Sequence, residues 1–131
     1  MDRHPILTSY DGSSASKNAL AYAAGLARRN DRWLVIVRIW SLGGMVPAPL
    51  TRDAQAEQVR QLLAELAEAD LTGLDVEIIA RAGDPASELL KVTTERRPDA
   101  IVIGAARRFG HLASVPARLI RRVTCPAVVV P

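Results

Sequence analysis

Cysteine is nearly absent: Cys125 is the one thiol in 131 residues, and only two histidines, His4 and His111, accompany it. A disulfide framework and an all-Cys/His zinc cluster are thereby excluded, and no metal is implied. Aromatic residues make up 4% of the chain, and lysine is scarce, with Lys17 and Lys91 the only two among 17 basic residues. Long apolar runs are missing too. The unbroken aliphatic stretches, such as 34–37 and 127–130, fall far short of the ~20 residues a membrane-spanning helix needs, and the opening MDRHPIL lacks a signal-peptide apolar region. The expectation is a cytoplasmic protein with no membrane partner.

What is present suffices for one domain, 1–131. Apolar residues are 49% of the chain, and a core at this length removes roughly two-thirds of the unfolded surface from water without a covalent staple. The net charge of +3 is modest. It matters where arginines gather without acids, which happens once: Arg107, Arg108, Arg118, Arg121 and Arg122, with His111 among them.

Short apolar runs alternate with segments whose apolar residues recur at i, i+3, i+4 and i+7. Strands are expected at Ile6–Tyr10, Trp33–Trp40, Val76–Ala82, Ala100–Ile103 and Ala127–Val130. Helices fill the intervals. Ser13 or Ser14 caps the first, with Leu20, Ala23, Ala24 and Ala27 inward. Val59, Leu62, Leu63 and Leu66 stripe the second, and Ala86, Leu89, Leu90 and Thr93 the third, which begins at Pro85. The last starts near Ser114 with Pro116 in its first turn. Strands separated by helices become parallel neighbours through right-handed crossovers, so the expected fold is a doubly wound α/β sheet with helices on both faces. Ligands of such sheets sit beyond the strand carboxyl ends where strand order reverses. Two segments stand at such ends, Tyr10-Asp11-Gly12-Ser13 and 104–114. Asp11 suits a ribose hydroxyl or an adenine amine, and equally a turn or N-cap. Gly104 permits close main-chain approach.

These segments carry a resemblance. ILTSYDGSSASKNAL, AGDPASELL, PDAIVIGA and ASVPARLIRRVTCPAVVVP, in this order and spacing, are similar to the universal stress protein family over nearly the whole chain. The resemblance implies a five-stranded parallel sheet of order 3-2-1-4-5, homodimerisation, a role in stress survival and, in one branch, ATP binding through Gly-x2-Gly-x9-Gly-Ser/Thr. By the same likeness Asp11 is the acidic residue after strand 1, Ile39 the strand-2 position whose main chain faces adenine, and Gly104 the first motif glycine. The remainder departs. Arg107 occupies the second glycine position, Ala113-Ser114 stand where the third glycine and its Ser/Thr belong, and the offset from Gly104 to Ala113 is 9 rather than 13. Gly110 partly replaces a missing glycine at a spacing that fits no phosphate loop.

Two readings compete. In one, Arg107 or Arg108 supplies charge-assisted hydrogen bonds to phosphate. In the other, the chain belongs to the branch that does not bind ATP, and no cofactor is expected. The second is preferred, because a cation attracts an anion but does not rebuild a cradle of main-chain N–H groups. Arg107, Arg108 and His111 at the start of the last helix also suit a free anion, with Arg118, Arg121 and Arg122 as a solvated face. The small net charge and few aromatics argue against nucleic acid.

Three function classes stand: a non-catalytic regulator working through an unidentified protein partner, a nucleotide-gated version of it, and a small hydrolase using Asp11 and His111. The last lacks a nucleophile-elbow spacing, and no catalytic residue is assigned. Seven residues of extended chain put His4 roughly 23 Å from Asp11, so the two cannot share a site. Cys125 is expected as a small buried residue, and Trp33 and Trp40 as packing residues. The last strand suits a sheet edge. The resemblance implies that this strand pairs with its copy about a two-fold axis, with Val128, Val129 and Val130 contributing on both sides and Pro131 stopping the ladder; the alternative is a monomer whose own loop 41–51 shields the edge.

Overall fold

The computed structural model describes residues 3–40, 51–105 and 115–131, the side chain of Val115 excepted. Five strands, β1 (Ile6–Ser9), β2 (Leu34–Trp40), β3 (Val76–Ala82), β4 (Ala100–Gly104) and β5 (Ala127–Val130), alternate with helices α1 (Ser14–Asn30), α2 (Arg52–Glu65), α3 (Pro85–Arg96) and α4 (Val115–Ile120). A 3-10 turn, Leu66–Glu68, extends α2. All strand pairs are parallel, in the order β3-β2-β1-β4-β5. The strand order thus reverses between β1 and β4.

Period-two alternation sorts the central strands onto two faces. Ile6, Tyr10, Leu34, Ile36, Ala100 and Val102 pack under α1 and α2. Leu7, Val35, Val37, Ile101 and Ile103 pack under α3 and α4. The stripe of α1 is mostly alanine, with Ala19, Ala23, Ala24 and Ala27 buried beside Leu20, so its backbone can lie close to the sheet. Ser13 caps this helix, accepting a hydrogen bond from Ser16 N–H at 3.1 Å. Asp31, in the left-handed conformation, ends it.

The helical stripes differ from expectation in two places. On α2, Leu62 and Leu66 are buried, Val59 is half-buried and Leu63 is 52% exposed. Leu63 sits about 100° around the helix from Leu62, turned toward solvent. On α3, Val92 joins Ala86, Leu89 and Thr93 in the interior, while Leu90 stays half-buried. Trp33 packs against the core, its indole N–H donating to Arg3 O at 3.1 Å, but Trp40 at the far end of β2 is exposed. Cys125 is half-buried rather than buried, and partial desolvation raises its thiol pKa above the usual value.

Thr8, in β1, is fully buried, and among the described residues its hydroxyl has no hydrogen-bond partner. An unsatisfied buried hydroxyl costs about 1–3 kcal/mol. Thr8→Val keeps the branched shape, removes that penalty and should raise the unfolding free energy by about 1 kcal/mol. Urea denaturation checks it; a lower midpoint would show that the hydroxyl has a partner.

Candidate functional site

The reversal of strand order places the ends of β1 and β4 side by side, the place where ligands of such sheets sit. After β1, buried Tyr10 still donates its N–H to Val37 O at 2.9 Å. The chain then turns at Asp11-Gly12, where Gly12 has φ +86, a left-handed value that a side chain would strain. Asp11 is exposed. Its Oδ1 accepts from Ser13 N–H at 2.8 Å, an Asx turn, and its own N–H donates to Ser16 Oγ at 3.3 Å. The carboxylate therefore stands just beyond the β1 carboxyl end, with Oδ1 holding the turn that starts α1. Burial raises the Tyr10 phenol pKa above its ordinary value, aided by Glu65 and Asp11 and opposed by Arg38.

Ile39 lies on the neighbouring strand. On the β1 side, β2 offers Trp33 O to Ile6 N–H and Val37 O to Tyr10 N–H. Alternation directs the Ile39 main chain to that same side, beyond the point where β1 has turned away. The Ile39 side chain packs half-buried on the α3 face. The sheet thus brings Asp11 and the Ile39 backbone to one end.

Gly104 ends β4, and the close approach it permits is made by the chain itself. A Cβ there would lie 2.6 Å from Ala15 C, 2.7 Å from Ser16 N and 2.8 Å from Ala15 O. The first turn of α1 rests on Gly104, and the same glycine brings the Asp11 turn against β4. Arg107, Gly110 and Ser114 lie outside the described residues, as do Arg108, His111 and Ala113. Among the described residues no group of His, Cys, Asp and Glu could hold a metal ion.

Arg118, Arg121 and Arg122 are exposed, as expected of a solvated face, but Arg118 is also paired there: its two terminal nitrogens meet the Asp84 carboxylate at 3.0 and 2.9 Å, fork to fork. Asp84 also caps α3, accepting from Ser87 N–H at 3.0 Å. The sequence shows a helix beginning at Pro85, but nothing in it points to a partner 34 residues away. The Arg118 hydrogen bonds, helped by Ser87 and opposed by burial, lower the Asp84 pKa from 3.8 to about 2.

A carboxylate with a depressed folded-state pKa contributes stability that is present above its unfolded pKa and lost as pH falls through the folded one. For Asp84 that window runs from about pH 4 down to about pH 2. Asp84→Asn keeps a good N-cap and removes the ion pair. Because both side chains are nearly half exposed, the expected loss at pH 6 is about 1 kcal/mol. The variant and the parent should converge by pH 2, as thermal melts at the two pH values would show. An undiminished difference at pH 2 would count against the pair.

No described helix is long and apolar enough to cross a membrane. A universal stress protein of Mycolicibacterium smegmatis is 34% identical over 136 residues, covering 98% of this chain; the chain spans about half of that relative's length, 46%. A solved universal stress protein in complex with cAMP superposes with a TM-score of 0.73 at 21% identity, with 99% of each chain covered. One from Archaeoglobus fulgidus in complex with dAMP gives 0.71 at 23% identity, with both chains covered fully. Similarity at that level speaks for the shared fold. The sequence model of the universal stress protein family matches residues 2–131. With the order 3-2-1-4-5 and the Asp11 turn in place, the chain belongs to the universal stress protein family.

Proposed function

We propose that this universal stress protein is a non-catalytic regulator of the stress response, working in the cytoplasm as a homodimer with an unidentified protein partner and binding ATP weakly or not at all. The observation that carries the reading is the length of chain between β4 and α4. From Gly104 to Ala113 the offset is 9, four short of the family's glycine motif, and Arg107 stands at the second glycine position. A triphosphate cradle is a run of main-chain N–H groups converging on the anion. Four fewer residues supply fewer of them, and an arginine adds attraction without restoring the arch.

The homodimer is supported by the position of β5 at the sheet edge, with one row of main-chain groups facing away from β4. Val128 and Val130 pack half-buried against the protein's own core, and Val129 is 39% exposed. A symmetric pairing would use this edge twice.

A second reading, an adenine-nucleotide-binding member whose arginines replace part of the glycine loop, is favoured by one observation. Asp11 and the Ile39 main chain stand at adjacent strand ends beside the point of strand-order reversal. Solved relatives of the same fold hold cAMP and dAMP, neither of which requires a triphosphate cradle. Mass spectrometry of purified, denatured protein separates the two. The first reading expects no adenine nucleotide; close to one equivalent per chain would overturn it in favour of the second.

A further inference from the structure

A second cleft, of about 520 Å³, opens at the opposite end of the sheet, between the end of α3 and the segment joining α4 to β5. Its size falls in the range of small-ligand sites. Arg97 and Arg122 line it, and among the described residues neither guanidinium has an ion-pair or hydrogen-bond partner. The one acid in the lining, Asp99, lies 2.8 Å from Arg32 Nε, so its charge is already balanced. His4 adds a third basic group, and Leu90, Pro98 and Val123 provide an apolar wall.

Two helix C-termini point this way, and their carbonyls oppose an anion. Several are already occupied. Thr93 O accepts from Arg97 N–H at 2.9 Å, and Leu119 O accepts from Arg122 and Val123 N–H at 2.9 and 3.1 Å. The two full guanidinium charges exceed the roughly half charge each helix end contributes.

We propose that this cleft binds a small organic anion, a carboxylate or phosphate ester, whose charge meets Arg97 and Arg122 and whose apolar part lies on Leu90, Pro98 and Val123. Arginine's planar fork suits both anions. The cleft lies beside the beginnings of β1, β4 and β5, across the sheet from Asp11, so it is independent of any nucleotide in the upper crevice.

Cys125 provides the test, because it is the only cysteine and lines this cleft. Its rate of alkylation by iodoacetamide, a neutral reagent, reads occupancy. Phenyl phosphate, at matched ionic strength, is expected to slow alkylation saturably by about fivefold or more, while benzyl alcohol does not. Arg122→Gln and Arg97→Asn should each weaken the protection about tenfold. Asparagine is chosen at 97 because this residue holds φ +48, which asparagine tolerates, and melting temperatures confirm folding of both variants. Equal protection by benzyl alcohol, protection that survives both substitutions, or none from phenyl phosphate would each overturn the proposal.

Discussion

Gly104→Ala is expected to destabilise the protein by about 3 kcal/mol, the upper part of the range for overpacking a close contact. The obstacle is main chain. The added methyl would stand 2.6–2.8 Å from Ala15 C, Ser16 N and Ala15 O, and no rotamer change relieves such a clash. The first turn of α1 would have to lift by roughly half an ångström or more to reach ordinary contact distance. That turn is held by the Ser13 cap and the Asp11 Asx turn, so lifting it disturbs the site as well as the packing. For a domain of this size the melting temperature should fall by about 10 °C. The loss should appear whether or not nucleotide is present, since the neighbour is the protein's own backbone. A change of less than about 2 °C would mean that α1 is not seated on β4 as described.

Val129→Lys should convert a dimer into a monomer. In the proposed assembly the β5 edges of two copies meet about a two-fold axis, so one substitution places two ammonium groups in the same contact. Like charges brought together and desolvated cost several kcal/mol, which weakens association by about a hundredfold or more. Val129 is the substitution of choice because it is the exposed member of the trio, and Val128 and Val130 also serve the protein's own core. Light scattering at tens of micromolar should report twice 14.1 kDa for the wild type and 14.1 kDa for the variant. A wild type of 14.1 kDa, or a variant that keeps the wild-type mass, would contradict the β5 pairing.

The sheet was legible because stretches of β2 and β4 are apolar on both faces. Ala100–Ile103 has no polar position, as a strand covered by helices on both sides requires, and Val35 and Ile36 are both fully buried although they face opposite ways. The start of α1 was legible from a local rule, a serine just ahead of an apolar stripe, and Ser13 makes that cap. What was hidden depends on neighbours distant in the chain. Leu63 matches the helical period as well as Leu62 does, and only the position of the sheet decides that one is buried and the other exposed. The Asp84–Arg118 fork joins two helices whose adjacency the sequence does not encode locally. Gly104 was readable as a close-approach position, but the approaching group, the Ala15–Ser16 backbone rather than a ligand, required the fold.

In the proposed function a shortened connection between β4 and α4 has lost the triphosphate cradle while the family's sheet, turn and strand ends remain. Calorimetric titration of the full chain with ATP at physiological magnesium tests it most directly. The expected result is no measurable heat, or a dissociation constant of about 1 mM or weaker, and no recovery in Arg107→Gly, since removing a side chain does not lengthen the loop. A dissociation constant in the micromolar range for the wild type would contradict it.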